Sequence, residues 1–167
     1  AEQEAAAHGR PLSDFTLVEI GAGEGSLMRE VLAGFSWWKR RRLRAAIVEV
    51  SPILRHRQEE TLRKFQRNLG WHEAVEEALR AADGRALVFS NELVDAFPVI
   101  LLEGSNEVLV EFDPEHGIRE SLRPLGETRP SLRRDQFSAL QHDWPEEQRL
   151  ELHDSYRQWL ANWMPLL

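Results

Sequence analysis

The chain of 167 residues has no cysteine. That excludes a disulfide framework and a thiolate-ligated zinc site. No stretch approaches the roughly 20 apolar residues of a membrane helix. The longest candidates, Ala86-Leu87-Val88-Phe89 and Val99 to Leu102, are strand-sized. Ala1 to Arg10 lack the apolar centre of a signal peptide. Positive charge is also in deficit: 21 Lys and Arg stand against 28 Asp and Glu, a formal net charge of -7. Such a balance argues against non-specific adhesion to nucleic acid. The histidines, at 8, 56, 72, 116, 142 and 153, share no metal-ligand spacing on one helix face, so no metal site is expected. Neither a Walker-type Gly-Lys-Ser/Thr nor a nucleophile elbow is present, and no internal repeat is visible.

What is there reads as globular. Hydrophobic residues make up 42% and charged residues 29%, and the length suits one compact α/β domain. Phe15 to Ile20 is a β-branched and apolar run that ends on glycines, as a strand buried on both faces does. Ser26 to Ala33 reads as a helix with Leu27, Val31 and Met28 inward and Gly34 as its stop. A second buried strand is expected over Ala45 to Val50. Ser51-Pro52 then supplies an N-cap and an N1 proline for a helix running to about Asn68 and ending at Gly70. Glu73 to Ala82 is expected to be helical and Ala86 to Phe89 a third core strand. Strands alternating with helices in this way build a parallel sheet. After Pro98, Val99–Leu102 and Val108–Phe112 flank Gly104-Ser105-Asn106 as a hairpin, and Gly117 to Leu122 adds a strand. Residues 123–147 look irregular, with one short helix around Gln136. A last helix from about Ser155 to Met164 should bury Trp159, Leu160 and Trp163. The expectation is a single domain over 1–167 with its core in 15–103, truncated at both ends and part of a larger fold.

Glu19-Ile20-Gly21-Ala22-Gly23-Glu24-Gly25 follows a strand and precedes a helix. Glycines there let the chain turn sharply and bring backbone close to a ligand. Glu49, 24 positions beyond Gly25, ends the next strand, where a carboxylate can accept hydrogen bonds from ribose hydroxyls. A dinucleotide fingerprint would space its glycines G-x-G-x-x-G. This one is Gly21-x-Gly23-x-Gly25 with an acid two residues ahead. Glu19 suits a positive ammonium and would repel a pyrophosphate, so the charge favours S-adenosylmethionine. The third strand ends in Ser90-Asn91-Glu92-Leu93-Val94-Asp95. Ligands of open α/β sheets sit beyond the strands' carboxyl ends, so Asn91, Glu92 and Asp95 should lie beside the cofactor. One helical turn would put Glu92 and Asp95 on a shared face; as structural groups they would instead be an N-cap and a first-turn acid.

Glu19 to Leu27, Val48-Glu49-Val50-Ser51-Pro52 with Leu54-Arg55 and Gln58, and Asn91-Glu92 with Asp95-Ala96-Phe97-Pro98-Val99 resemble the MidA family, in the same order and spacing. Trp71 falls where that family often has a tryptophan. The resemblance covers roughly residues 15–103, and more thinly Arg149 to Trp159. It implies a Rossmann-like class I methyltransferase fold with helices on both sheet faces, followed here by an antiparallel hairpin region. It also implies S-adenosyl-L-methionine as cofactor. The family is related to the mitochondrial complex I assembly-factor enzyme, an arginine methyltransferase acting on a protein subunit. Its N-terminal Gly-Asp-Phe segment and the last strands of its sheet have no counterpart here. The cofactor-binding residues expected are Glu19, Gly21, Ala22, Gly23, Gly25, Glu49, Val50 and Asn91. Glu92 and Asp95 are the expected catalytic pair, since carboxylates can orient a guanidinium in bidentate fashion.

Two other readings compete. One is a catalytically inactive methyltransferase fold that scaffolds an assembly complex; the other, disfavoured by the glycine spacing, is a nicotinamide-dependent oxidoreductase. A protein substrate is the expected partner, without nucleic acid or membrane, in the bacterial cytoplasm or the mitochondrial matrix. Trp37-Trp38-Lys39-Arg40-Arg41-Arg42-Leu43-Arg44 mixes aromatics with cations, as single-strand grooves do. It lies between a helix and a strand, and is read here as a solvated charge run.

Overall fold

The structure is a computed structural model that describes residues 9–130, 132 and 148–167. They divide into two compact units, residues up to Ala96 with Leu160–Leu167, and Phe97–Trp159.

The first unit is a parallel sheet. β1 (Thr16–Ile20), β2 (Arg44–Val48), β3 (Leu69–His72) and β4 (Ala86–Ser90) lie in the order β3-β2-β1-β4. Every residue of β1 is buried, Thr16 and Glu19 included, as befits a central strand covered on both faces. α1 (Ser26–Ala33) packs Met28 and Leu32 into a core with Leu17, Leu43, Ala45, Ile47 and Leu62. Leu27, expected inward, is exposed, because Met28 and Leu32 sit one turn apart on the face toward the sheet. α2 (Trp37–Arg40) is a short helix inside the segment read as a charge run. α3 (Pro52–Thr61) starts as expected, with Ser51 Oγ accepting from the Leu54 N–H at 3.4 Å. It does not run to Asn68. The chain tightens into a 3-10 helix over Arg63–Asn68, and β3 then pairs in parallel with β2. Gly70, read as a helix stop, is a strand residue facing Ala46. α4 (Val75–Ala81) packs on β2 and β3 and buries Val75, Ala78 and Leu79.

The second unit is antiparallel. β5 (Ile100–Glu103), β6 (Asn106–Asp113), β7 (Gly117–Pro124) and β8 (Arg149–Leu152) follow the order β7-β6-β5-β8. The expected hairpin is there: Glu103 faces Asn106 across Gly104-Ser105, and β7 continues the sheet. Ile100, Leu102, Leu125 and Leu152 form its small core. β8 was not expected. It is a four-residue strand of which two residues, Arg149 and Glu151, are charged. Nor was α5 (Leu125–Thr128), a single turn in a segment read as irregular. Gln136 lies outside the described residues. α6 spans Asp154–Trp163; Trp163 is buried, and Trp159 and Leu160 are half-buried. Within this unit Tyr156 stacks on Trp159 and Phe97 meets both at a steep angle, with centroids 5.2–5.7 Å apart.

Candidate active site

The parallel register brings three of the motifs together. Ile20 is the partner of Val48 on one side and of Ser90 on the other. The residues that follow are Gly21, Glu49 and Asn91, so they leave three adjacent strand ends side by side, about 4.8 Å per strand. Glu73 leaves the fourth, after His72, which pairs with Val48. Because β3 was not read from the sequence, neither was Glu73.

The glycine turn is as sharp as its composition demands. Gly21, Gly23 and Gly25 have φ of 67°, 53° and 81°, all left-handed. A Cβ on Gly21 would come within 2.9 Å of Leu93 Cδ1, so this glycine also admits the segment after β4. A Cβ on Gly23 would meet nothing within 4 Å: the space over it is open. Gly25 is the N-cap of α1. Ala22 is buried in the core, holding the turn down while Gly21, Gly23 and Glu24 face outward.

A buried glutamine ties this turn to Glu49. Gln58 on α3, 0% exposed, donates through Nε2 to the Gly23 carbonyl at 2.8 Å and to Glu49 Oε2 at 3.0 Å. Its Oε1 accepts from Trp71 Nε1 at 3.2 Å. Glu49 Oε1 accepts from the Ser51 N–H at 2.8 Å. Each oxygen of Glu49 is thus fixed by one bond, and a carboxylate offers about four acceptor positions. Val50 beside it is 78% exposed, an apolar side chain left in water. Gln58 and Trp71 were marked only through the family resemblance. Helical periodicity gave no reason to pick Gln58, whose partners come from 9, 13 and 35 positions away.

Glu19 is placed differently from its neighbours. It is 2% exposed, on the face of β1 toward α1. It takes one backbone hydrogen bond from Met28, and its Oε2 is buried without a partner. Burial pushes its carboxyl up to about 7, which the Met28 bond only partly opposes.

Asn91, Glu92 and Asp95 are exposed at the end of β4. Glu92 has φ 53°, a left-handed backbone that a glutamate adopts at a cost of the order of 1–3 kcal/mol. It therefore stands outside the 3-10 turn Val94–Ala96, whereas Asp95 is within it. The two do not share a helical face, and Glu92 is not that turn's N-cap: the chain bends at Glu92, two residues before the turn begins. Among the described residues no cluster of His, Asp and Glu could hold a metal ion.

Residues 2–167 match the model of a family described as "Putative S-adenosyl-L-methionine-dependent methyltransferase". The chain belongs to this family. Two solved structures from Burkholderia thailandensis, both of the COG1565 superfamily, are similar to it. One is 25% identical, with a TM-score of 0.69 over 96% of this chain and 40% of that one. The other, bound to S-adenosyl-homocysteine, is 26% identical with a TM-score of 0.68 over 96% and 39%. The family member described here thus spans about two fifths of their length. No curated protein matches it.

Proposed function

We propose that this chain holds S-adenosyl-L-methionine at the carboxyl ends of β1, β2 and β4 and serves methyl transfer to a protein arginine side chain. The observation that carries the reading is the register that sets the glycine turn between Glu49 and Asn91-Glu92. The residues fit the cofactor's chemistry. The open space over Gly23 admits a ligand against bare backbone. Glu49, fixed by Ser51 and Gln58, keeps acceptor positions for two ribose hydroxyls. Val50 offers an apolar surface for an adenine ring. The unpartnered, buried Glu19 Oε2 is an acceptor suited to an ammonium group. A bound dinucleotide would bring its pyrophosphate toward that same acid.

When bound, the cofactor supplies a methyl group on a sulfonium, and in-line displacement makes positioning the chain's main task. Glu92 and Asp95 present carboxylates that can grip a guanidinium, orient the attacking nitrogen and stabilise its charge. The left-handed backbone of Glu92 fixes where its side chain departs from the end of β4. Arginine as acceptor rests on the MidA resemblance and on this acidic pair.

The test is transfer of labelled methyl from S-adenosylmethionine to acceptor proteins by the intact protein, with hydrolysis to amino acids. Labelled methylarginine is expected. Label confined to lysine or to small molecules would overturn the acceptor. No label, with S-adenosyl-homocysteine still bound, would leave a scaffold.

A further inference from the structure

The amino ends of the same strands carry a second surface that methyl transfer does not use. Lys39, Arg40, Arg41 and Arg42 precede β2, and after Leu43 the strand itself opens on Arg44. Before β3, the 3-10 helix brings Arg63, Lys64 and Arg67. Asn68 Nδ2 donates to the Arg40 and Arg41 carbonyls at 3.3 and 3.0 Å, which fastens the two segments together. The chain is acidic overall, and Arg57, Arg123, Arg129 and Arg149 are all paired with glutamates. Yet among the described residues no carboxylate lies within ion-pair distance of Arg40, Arg41, Arg42, Lys64 or Arg67.

Two tryptophans stand in this cluster. Trp37 is 51% and Trp38 74% exposed, edge to face at 4.5 Å, and the Arg41 guanidinium lies 4.7 Å over the Trp37 ring. α2 forms the ridge between two hollows. One, about 610 Å³, is lined by Trp38, Lys39 and Arg42 with Arg10. The other, about 310 Å³, is lined by Trp37, Arg40 and Arg41 with Lys64 and Arg67. Both fall in the about 300–1,000 Å³ range of small-ligand clefts. Each hollow therefore combines an indole with several cations. A membrane surface would use the exposed indoles and the cations but leave the two hollows unfilled. An acidic peptide would use the cations but not the indoles. A chain of phosphates and flat, unpaired rings uses both, because aromatic faces stack on bases and guanidinium forks bind phosphate. Duplexes hide their base faces.

We propose that this end of the first unit is a docking surface for a single-stranded nucleic acid, with Trp38 and Trp37 as stacking platforms and Arg40, Arg41, Arg42 and Arg67 on phosphates. It departs from the expectation, drawn from net charge and from the run's place between a helix and a strand, that the chain leaves nucleic acid untouched. The surface lies a strand's length, about 16 Å for five residues, from the glycine turn, and the inference does not rest on the methyltransferase reading.

The experiment is fluorescence anisotropy of the intact protein with labelled 12-nucleotide oligo(U) and oligo(dT), with polyglutamate and phosphatidylserine vesicles as competitors. Binding to one or both oligonucleotides is expected, displaced by unlabelled oligonucleotide and not by equal charge on polyglutamate or vesicles. Raising salt from 50 to 200 mM should weaken it on the order of 50-fold if four phosphates are neutralised. Trp38→Ala should weaken it about ten-fold or more with the salt dependence unchanged. Arg41→Gln/Arg42→Gln should weaken it and flatten the salt dependence. Circular dichroism of both variants should match the parent. No oligonucleotide binding, preference for polyglutamate or vesicles, or a folded Trp38→Ala that binds normally would each overturn the proposal.

Discussion

The two ends of one parallel sheet differ in kind. At the carboxyl ends stand glycines, Glu49, Glu92 and Asp95; at the amino ends stand two exposed tryptophans and, among the described residues, arginines with no carboxylate at ion-pair distance. One sheet presents both, so sheet geometry alone does not decide what each end binds. At the carboxyl ends function is written locally, in a turn of three left-handed glycines and in polar residues, Glu49, Asn91 and Glu92, that fall within two residues of a strand's end. At the amino ends it is written in the assembly of two distant segments, 37–44 and 63–68, which Asn68 joins.

If that comparison holds, damage at one end should spare the other. Gly23→Val should have the largest effect. A β-branched residue resists φ 53° and fills the open space, so S-adenosyl-homocysteine binding should disappear in a calorimetric titration while the oligonucleotide affinity is kept. Normal cofactor binding by a folded Gly23→Val protein would remove the turn from the site. Glu92→Gln comes next. It keeps size and loses charge, so single-turnover methyl transfer should fall by about 10²-fold with cofactor affinity unchanged. Unchanged turnover would reduce Glu92 to a turn residue.

Glu49→Ala removes one or two hydrogen bonds to a charged acceptor, worth about 1.5–3 kcal/mol. Cofactor affinity should then fall roughly 10- to 150-fold by titration. An unchanged affinity would mean that Glu49 serves only to hold Gln58. Glu19→Gln should act on stability, read by urea unfolding across pH. Its folded carboxyl titrates near 7 against an ordinary 4.5, so the native state keeps a proton that the unfolded state releases. Its contribution to stability is full below about 4.5 and is lost as pH rises through 7, by at most on the order of 3 kcal/mol. The variant should lose that slope and be the more stable protein at pH 8. Equal pH profiles would show that the Glu19 carboxyl takes up its proton in the folded protein at the same pH as in the unfolded one.

What could be read in advance followed the same division. β1 was legible because burial on both faces leaves a β-branched, mostly apolar run that ends on glycines, and the hairpin because Gly104-Ser105 sits between two mostly apolar stretches. β3 was not, since Leu69-Gly70-Trp71-His72 is short, contains a glycine and is a strand only by virtue of pairing with β2. The helix after Pro52 was drawn too long because Arg63–Asn68 keeps helical periodicity, although the chain leaves the α-helix at Leu62. The candidate residues at the strand ends could be named from the sequence. Their bracing could not: Gln58 gains its meaning from Gly23, Glu49 and Trp71, which only the fold brings to it. The basic run was visible, but its second half before β3 and its missing acids were not.

The most direct test of the central claim is isothermal titration of the intact protein with S-adenosyl-homocysteine and, separately, with NAD. Binding of S-adenosyl-homocysteine at one site per chain, weakened by Glu49→Ala, with no heat from NAD, is the predicted result. Equal binding of NAD, or no binding of S-adenosyl-homocysteine, would contradict it.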